Sequence, residues 1–140
     1  MKVVGLNNKE YNLNLKNYIV MKDDQTKKSS LHMKARELIS ELFCGYTILE
    51  EVKLPGSRDP SKKSVLFLDF FIPNAMLGIE VNGKQHYEYV PYFHKSKAGF
   101  LSYLHKDSVK KDWCDLNNID LIVLKYSDPI EVWRDQIERR

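Results

Sequence analysis

SVLFLDFFIPNAMLGIEVN, residues 64–82, is the stretch on which the fold turns. Its first half is dense in β-forming residues, Pro73 and Asn74 interrupt it, and LGIEVN resumes as a second extended run. With a strand period of two, Val65, Phe67, Asp69 and Phe71 share one face of the first run, and Gly78, Glu80 and Asn82 share one face of the second. Nearly unbroken apolar runs are expected where both faces of a sheet are covered, so both belong in the middle of a sheet packed on two sides. Each run nevertheless carries one acid among apolar neighbours, and burying an unpaired charge is expensive.

If the two runs form a hairpin, Asp69 and Glu80 stand on adjacent strands close enough to repel each other. A divalent cation removes that repulsion. Two carboxylates, a backbone carbonyl and several waters suit magnesium, which prefers oxygen ligands and keeps waters that phosphate oxygens replace. The plain structural alternatives are an Asp69 bonded to a neighbouring backbone amide and a Glu80 paired with arginine or lysine at the rim of the sheet.

Working outward, YTILEEVKL (46–54) reads as a further strand and PGSRDPSKK (55–63) as the loop that follows it. Before them, Ser29 or Ser30 caps a helix in which Leu31, Ala35, Leu38 and Leu42 recur on one face. Downstream, a helix is predicted through FLSYLHKDSVKKDWCDL (100–116). Val109, Trp113 and Leu116 form its core stripe, and Tyr103, Asp107, Lys110, Lys111 and Cys114 a second, mostly polar one. NNIDLIVLKY (117–126) is the last strand, with the asparagine pair as helix stop. Asp128, Pro129 and Glu131 supply a cap, a first-turn proline and a capping-box acid for a final helix whose Ile130, Trp133 and Ile137 face inward. The resulting order of helix, three strands, helix, strand and helix is that of a three-layer α/β domain with a mixed central sheet of about four strands flanked by helices. Residues 1–28, with weak alternation and the polar stretch DDQTKKSS leading into the first helix, read as an N-terminal extension to a domain over 29–140.

Composition limits the function classes without choosing among them. Hydrophobic content of 43% and charged content of 29% are ordinary for a globular chain, and 140 residues suffice for one core without staples. With 22 basic against 19 acidic side chains, any surface for a polyanion must be a local patch. Cys44 and Cys114 have no paired spacing, which argues against disulfides and zinc and for reduced thiols in a cytoplasmic setting. MKVVGLNNKEY lacks a signal-peptide pattern and no run is long enough to cross a bilayer, so no membrane partner is expected.

The run LDFFIPNAMLGIEVNGKQHYEY, followed by HKDSVKKDWCDLNNIDLIVLKY, resembles the PD-(D/E)xK nuclease superfamily, in particular its branch near very-short-patch-repair and phage homing endonucleases. The resemblance covers roughly residues 30–126 and implies a restriction-endonuclease-like fold. It also implies a metal-dependent endonuclease that hydrolyses DNA phosphodiester bonds with magnesium or manganese. Residue by residue, Glu37 matches the branch's helix acid, Asp69 its strand aspartate, Glu80 its strand glutamate, Gln85 and His86 its Gln-His turn, and Asp107 and Lys110 its later helix. The superfamily's lysine two positions after the glutamate is replaced here by Asn82, which can neither carry positive charge nor act as a useful base. Histidine is the implied replacement. His86 is thus the expected proton-transfer group, Gln85 a positioner of water or a phosphate oxygen, and Asp69 and Glu80 the metal ligands.

An acidic site repels a polyanion unless lysines surround it, and Lys84, Lys110 and Lys111 are the expected phosphate contacts. Tyr87, Tyr89, Tyr92 and Phe93 beside His94 serve either as stacking platforms or as packing. Targeting is expected to come from a second copy of the chain or from a partner protein. Two rival readings stand beside this one: a nucleic-acid-binding module that keeps the nuclease fold without catalysis, and a structural domain whose acids are paired in the fold.

Overall fold

The computed structural model describes residues 1–18, 29–58 and 65–140, the side chains of Gln85, Tyr92, Phe93 and Tyr103 excepted. Most of the polar stretch DDQTKKSS (23–30) and the second half of the loop over 55–63 lie outside those residues. In chain order the elements are β1 (Lys2–Val4), β2 (Glu10–Asn12), α1 (Ser30–Leu42), β3 (Leu49–Lys53), β4 (Phe67–Ile72), β5 (Leu77–Asn82), the short α2 (Pro91–His94), α3 (Lys97–Leu116), β6 (Asp120–Lys125) and α4 (Ile130–Glu138). β1 and β2 form an antiparallel hairpin of their own, while the main sheet runs β3-β4-β5-β6. Its first two pairings are antiparallel and the last, across the α3 connection, is parallel, so this is a mixed four-stranded sheet as expected.

Local chemistry sets the boundaries. Ser29 Oγ accepts the His32 N–H at 3.1 Å to start α1, and Ser96 Oγ accepts the Gly99 N–H at 3.1 Å to start α3. Pro73–Ala75 form a 3₁₀ turn ended by a left-handed Met76 at φ +48°, which reverses β4 into β5. Asn117 closes α3, and its amide grips both backbone groups of Val4 on β1, at 2.7 Å from N–H to Oδ1 and 2.9 Å from Nδ2 to C=O. That clamp and the burial of Val3 and Leu13 tie the N-terminal extension to the domain.

Helices cover both faces of the sheet. On one, Ala35, Leu38 and Ile39 of α1 and Trp133 and Ile137 of α4 pack on Phe70, Ile72, Leu77 and Ile79. On the other, Trp113 and Cys114 of α3 pack with Leu49, Val52, Leu68 and Phe71 and with the hairpin's Val3 and Leu13.

Three expectations are corrected. Leu68 and Phe71 share a cluster, so strict alternation fails across Asp69; the β3–β4 ladder skips Glu51 and Asp69, and Glu51 sits at φ +51°, in the left-handed region. Leu116 is exposed and Cys114 is buried in its place, because α3 packs through Val109, Trp113 and Cys114. Finally, Asp128 does not cap α4. Pro129 holds that position without a side-chain bond, and α4 is anchored by its buried Trp133, whose Nε1 donates to the Lys125 carbonyl at 2.9 Å.

Candidate active site

Glu80 is the fourth residue of β5. Its neighbours Ile79 and Val81 turn to the α1/α4 core, so Glu80 turns toward α3 and is only 5% exposed. Asp69 reaches the same point from β4. Its Oδ2 accepts the Val81 backbone N–H at 2.9 Å, and its negative charge acts on the carboxyl of Glu80. The backbone bond is the structural alternative foreseen for Asp69, and it coexists with convergence on Glu80. Burial first and the Asp69 charge second push the Glu80 carboxyl well above the usual carboxylate range, with Lys110 working in the opposite direction.

Lys110 reaches in from α3 and places Nζ 3.0 Å from Glu80 Oε1. The distance is that of an ion pair, but the approach gives Oε1 no well-directed hydrogen bond. Burial alone would lower the Lys110 ammonium. The Glu80 carboxylate, with Asp69 and then Asp107 behind it, outweighs burial and raises it above its ordinary 10.5. Cys114, one turn further along α3, has its thiol pushed up to about 12 by burial and then by the Glu80 charge, which leaves it a neutral packing group.

A second pair stands beside the first. His86 ends the 3₁₀ turn Lys84–His86, and its Nδ1 lies 2.8 Å from Asp107 Oδ2, one turn of α3 before Lys110. A carboxylate at Nδ1 keeps a proton on that nitrogen and fixes the orientation of the ring. Asp107 therefore pairs with His86, and Lys110 turns to Glu80, in place of the Asp107–Lys110 ion pair that their spacing allowed. Tyr87 lies close enough to Asn82 for that amide to act on its phenol. Burial, which outweighs that effect, raises its phenol, and the Asp107 charge adds to the rise.

The structure brings Asp69, Glu80, Lys110, His86 and Asp107 to the α3 side of the sheet. Glu37 is not among them: it is exposed on α1, which packs on the opposite face. Gln85's side chain lies outside the described residues. Lys84 is exposed and 3.4 Å from Glu88; Lys111 is exposed and 3.2 Å from Asp115. Of the aromatics beside His94, Tyr89 stacks on that histidine and Tyr87 packs against Tyr126 under the Lys125 ammonium.

Sequence reasoning missed another buried polar cluster, on the α1 side. His32 Nε2 meets Glu50 Oε1, and Arg36 approaches the same oxygen from Nε at 3.1 Å and Nη2 at 3.0 Å. Burial would raise the Glu50 carboxyl, but the bonds from His32 and Arg36 prevail and hold it below its ordinary value. The signal was present in His32 and Arg36, one helical turn apart on α1.

As a ligand set, Asp69 and the buried Glu80 Oε1, which lacks a well-directed donor, are hard oxygens converging from two rigid strands, and they fit a magnesium-sized ion. Among the described residues no third Asp, Glu, His or Cys completes a cluster with them. Among those residues, too, no helix is long and apolar enough to cross a membrane.

No family model matches the chain, and no solved structure matches it. It is similar to three viral proteins. Uncharacterized protein 307L of Invertebrate iridescent virus 6 is 40% identical over 54% of this chain and 39% of its own length. Uncharacterized protein 033L of Invertebrate iridescent virus 3 is 36% identical over 50% and 36%, and uncharacterized protein 094L of Frog virus 3 is 34% identical over 56% and 51%. The matched regions thus take up about half or less of each relative's length.

Proposed function

We propose that the protein is a magnesium- or manganese-dependent endonuclease that hydrolyses phosphodiester bonds of DNA, on a fold of the restriction-endonuclease type. The observation that carries this reading is Glu80: a carboxyl buried in a central strand, facing a second acid, with one ammonium between two carboxyls. The element order, with α1, three antiparallel strands, α3 and a parallel β6, supports it.

Asp69 and Glu80 would hold the ion. When bound, magnesium supplies positive charge to the scissile phosphate and makes a water easier to deprotonate. The chain's own groups do the rest. His86, oriented through Nδ1 by Asp107, presents Nε2 as the base that takes the proton of the attacking water. Lys110 would move from Glu80 to a phosphate oxygen as the substrate arrives, supplying the charge that Asn82 cannot. Lys84 and Lys111 would contact flanking phosphates. The test is magnesium-dependent nicking of plasmid DNA, expected of the parent and lost in Asp69→Asn; nicking that persists in the variant contradicts the proposal.

One observation favours a second reading, a module that binds DNA without cutting it: a buried, neutral Asn82 stands where the superfamily has its lysine. Such a module would keep its DNA affinity in EDTA and show no nicking with either metal.

A further inference from the structure

We infer that the cavity between the β1–β2 hairpin and the β3–β4 connection is a subsite for one nucleotide of the strand bound at the acid site; this rests on the nuclease reading above. The cavity encloses about 600 Å³, within the range of ordinary ligand sites. Its lining combines two cations, Lys9 and Arg58, with an apolar wall of Tyr11, Pro55 and Val65. A phosphate attached to a flat, stackable ring is the chemistry that such a lining recognises.

The two cations of this cavity differ in their pairing from those around the acid site. Around the acid site the lysines have partners: Lys110 on Glu80, Lys84 on Glu88 and Lys111 on Asp115. Lys9 and Arg58, in contrast, meet no carboxylate among the described residues. Two cations that meet no carboxylate among the described residues, beside an aromatic ring, can receive an anion from outside.

The cavity is also built in advance. The Leu6 N–H donates to the Gly56 carbonyl at 3.0 Å and Trp113 Nε1 to the Pro55 carbonyl at 2.7 Å, so the hairpin and the Pro55–Gly56 turn are fixed to each other and to α3. Asn7 Nδ2 donates to the Tyr11 hydroxyl at 2.7 Å and sets the ring. Gly56, at φ +76°, is required: a Cβ there would run into Gly5 Cα and the Tyr11 ring and force the walls apart.

Position supports the assignment. Val65 lines the cavity and Asp69 lies four residues further on. That is at most about 13 Å of extended chain, or about four nucleotides of duplex at roughly 3.4 Å each. Along α3, Trp113 contacts the cavity wall one turn after Lys110 contacts Glu80, so both sites lie on the same side of the sheet.

The test is the anisotropy of a labelled DNA duplex titrated in EDTA with the Asp69→Asn protein, which binds without cutting, across a range of salt. Adding Lys9→Ala and Arg58→Ala is expected to reduce the slope of log affinity against log salt by about 0.9, the worth of the one phosphate that the two cations share. The loss is expected for a duplex long enough to reach the cavity and not for one that ends short of it. Lys2→Ala with Lys16→Ala, exposed lysines of the same arm outside the cavity, should leave the slope unchanged. An unaltered slope in the cavity variant, an equal loss in the control, or a loss independent of duplex length overturns the subsite while leaving the nuclease reading in place. Absence of DNA binding by the Asp69→Asn parent would overturn both.

Discussion

Glu50 and Glu80 are both carboxyls buried in strands of one sheet, 8% and 5% exposed, each facing a helix that covers its own side. Their surroundings differ in sign. Glu50 faces His32 and Arg36, and these hold its carboxyl below the ordinary range. Glu80 faces another acid and a single lysine, and burial together with Asp69 holds it well above. The first is a closed polar cluster that explains its own burial. The second has more acid than cation, and its cost makes sense in a fold that receives positive charge from outside.

The largest expected effect separates the two by readout. Asp69→Asn should take plasmid nicking below detection while shifting stability by only about 1 kcal/mol, the net worth of one hydrogen bond. Glu50→Ala should do the reverse. It leaves His32 and Arg36 buried without their acceptor, which costs about 3–5 kcal/mol by denaturant titration, and the molecules that stay folded should nick normally. Equal loss of activity in both variants would erase the distinction. Next in size, His86→Ala should slow nicking by about 10²–10⁴-fold, the usual worth of a positioned acid–base group, with its effect concentrated in kcat.

A third test uses the opposed titrations. Glu80 has a raised folded-state pKa, so in metal-free protein its contribution is complete below its ordinary 4.5 and is lost as pH rises through the higher folded value. Glu50 has a lowered one, so its contribution is present above 4.5 and is lost as pH falls through the folded value. Melting temperatures followed across pH should therefore lose their neutral-side decline in Glu80→Gln and their acid-side decline in Glu50→Gln. Matching profiles for the two variants would show that the clusters do not differ as described. The smallest effect belongs to Lys111→Ala: its pair with Asp115 is exposed, so stability should change by no more than about 0.5 kcal/mol.

How legible all this was in the sequence follows from the range of each interaction. The two central strands, α1, α3 and β6 announce themselves by local composition and period, and Asp69 and Glu80 by being acids where apolar residues belong. The His86–Asp107 pair joins positions 21 residues apart across a turn and a short helix, so spacing on α3 alone left Asp107 equally suited to Lys110. Glu50 was hidden for a related reason. In LEEVK either glutamate fits the solvent face, and only the turn of the chain at Glu51 and the arrival of α1 decide which is buried. The inward face of the last turn of α3 and the cap of α4 were misjudged because tertiary packing of Cys114 and Trp133 outweighs stripe counting and capping preference.

The acid pair can be probed without DNA. Calorimetric titration of magnesium or manganese into the protein should show one ion per chain, with a proton released on binding because Glu80 must ionise to become a ligand, and no binding in Asp69→Asn. Heats no larger than dilution in the parent, or equal binding in parent and variant, would mean that Asp69 and Glu80 are not where a cation belongs.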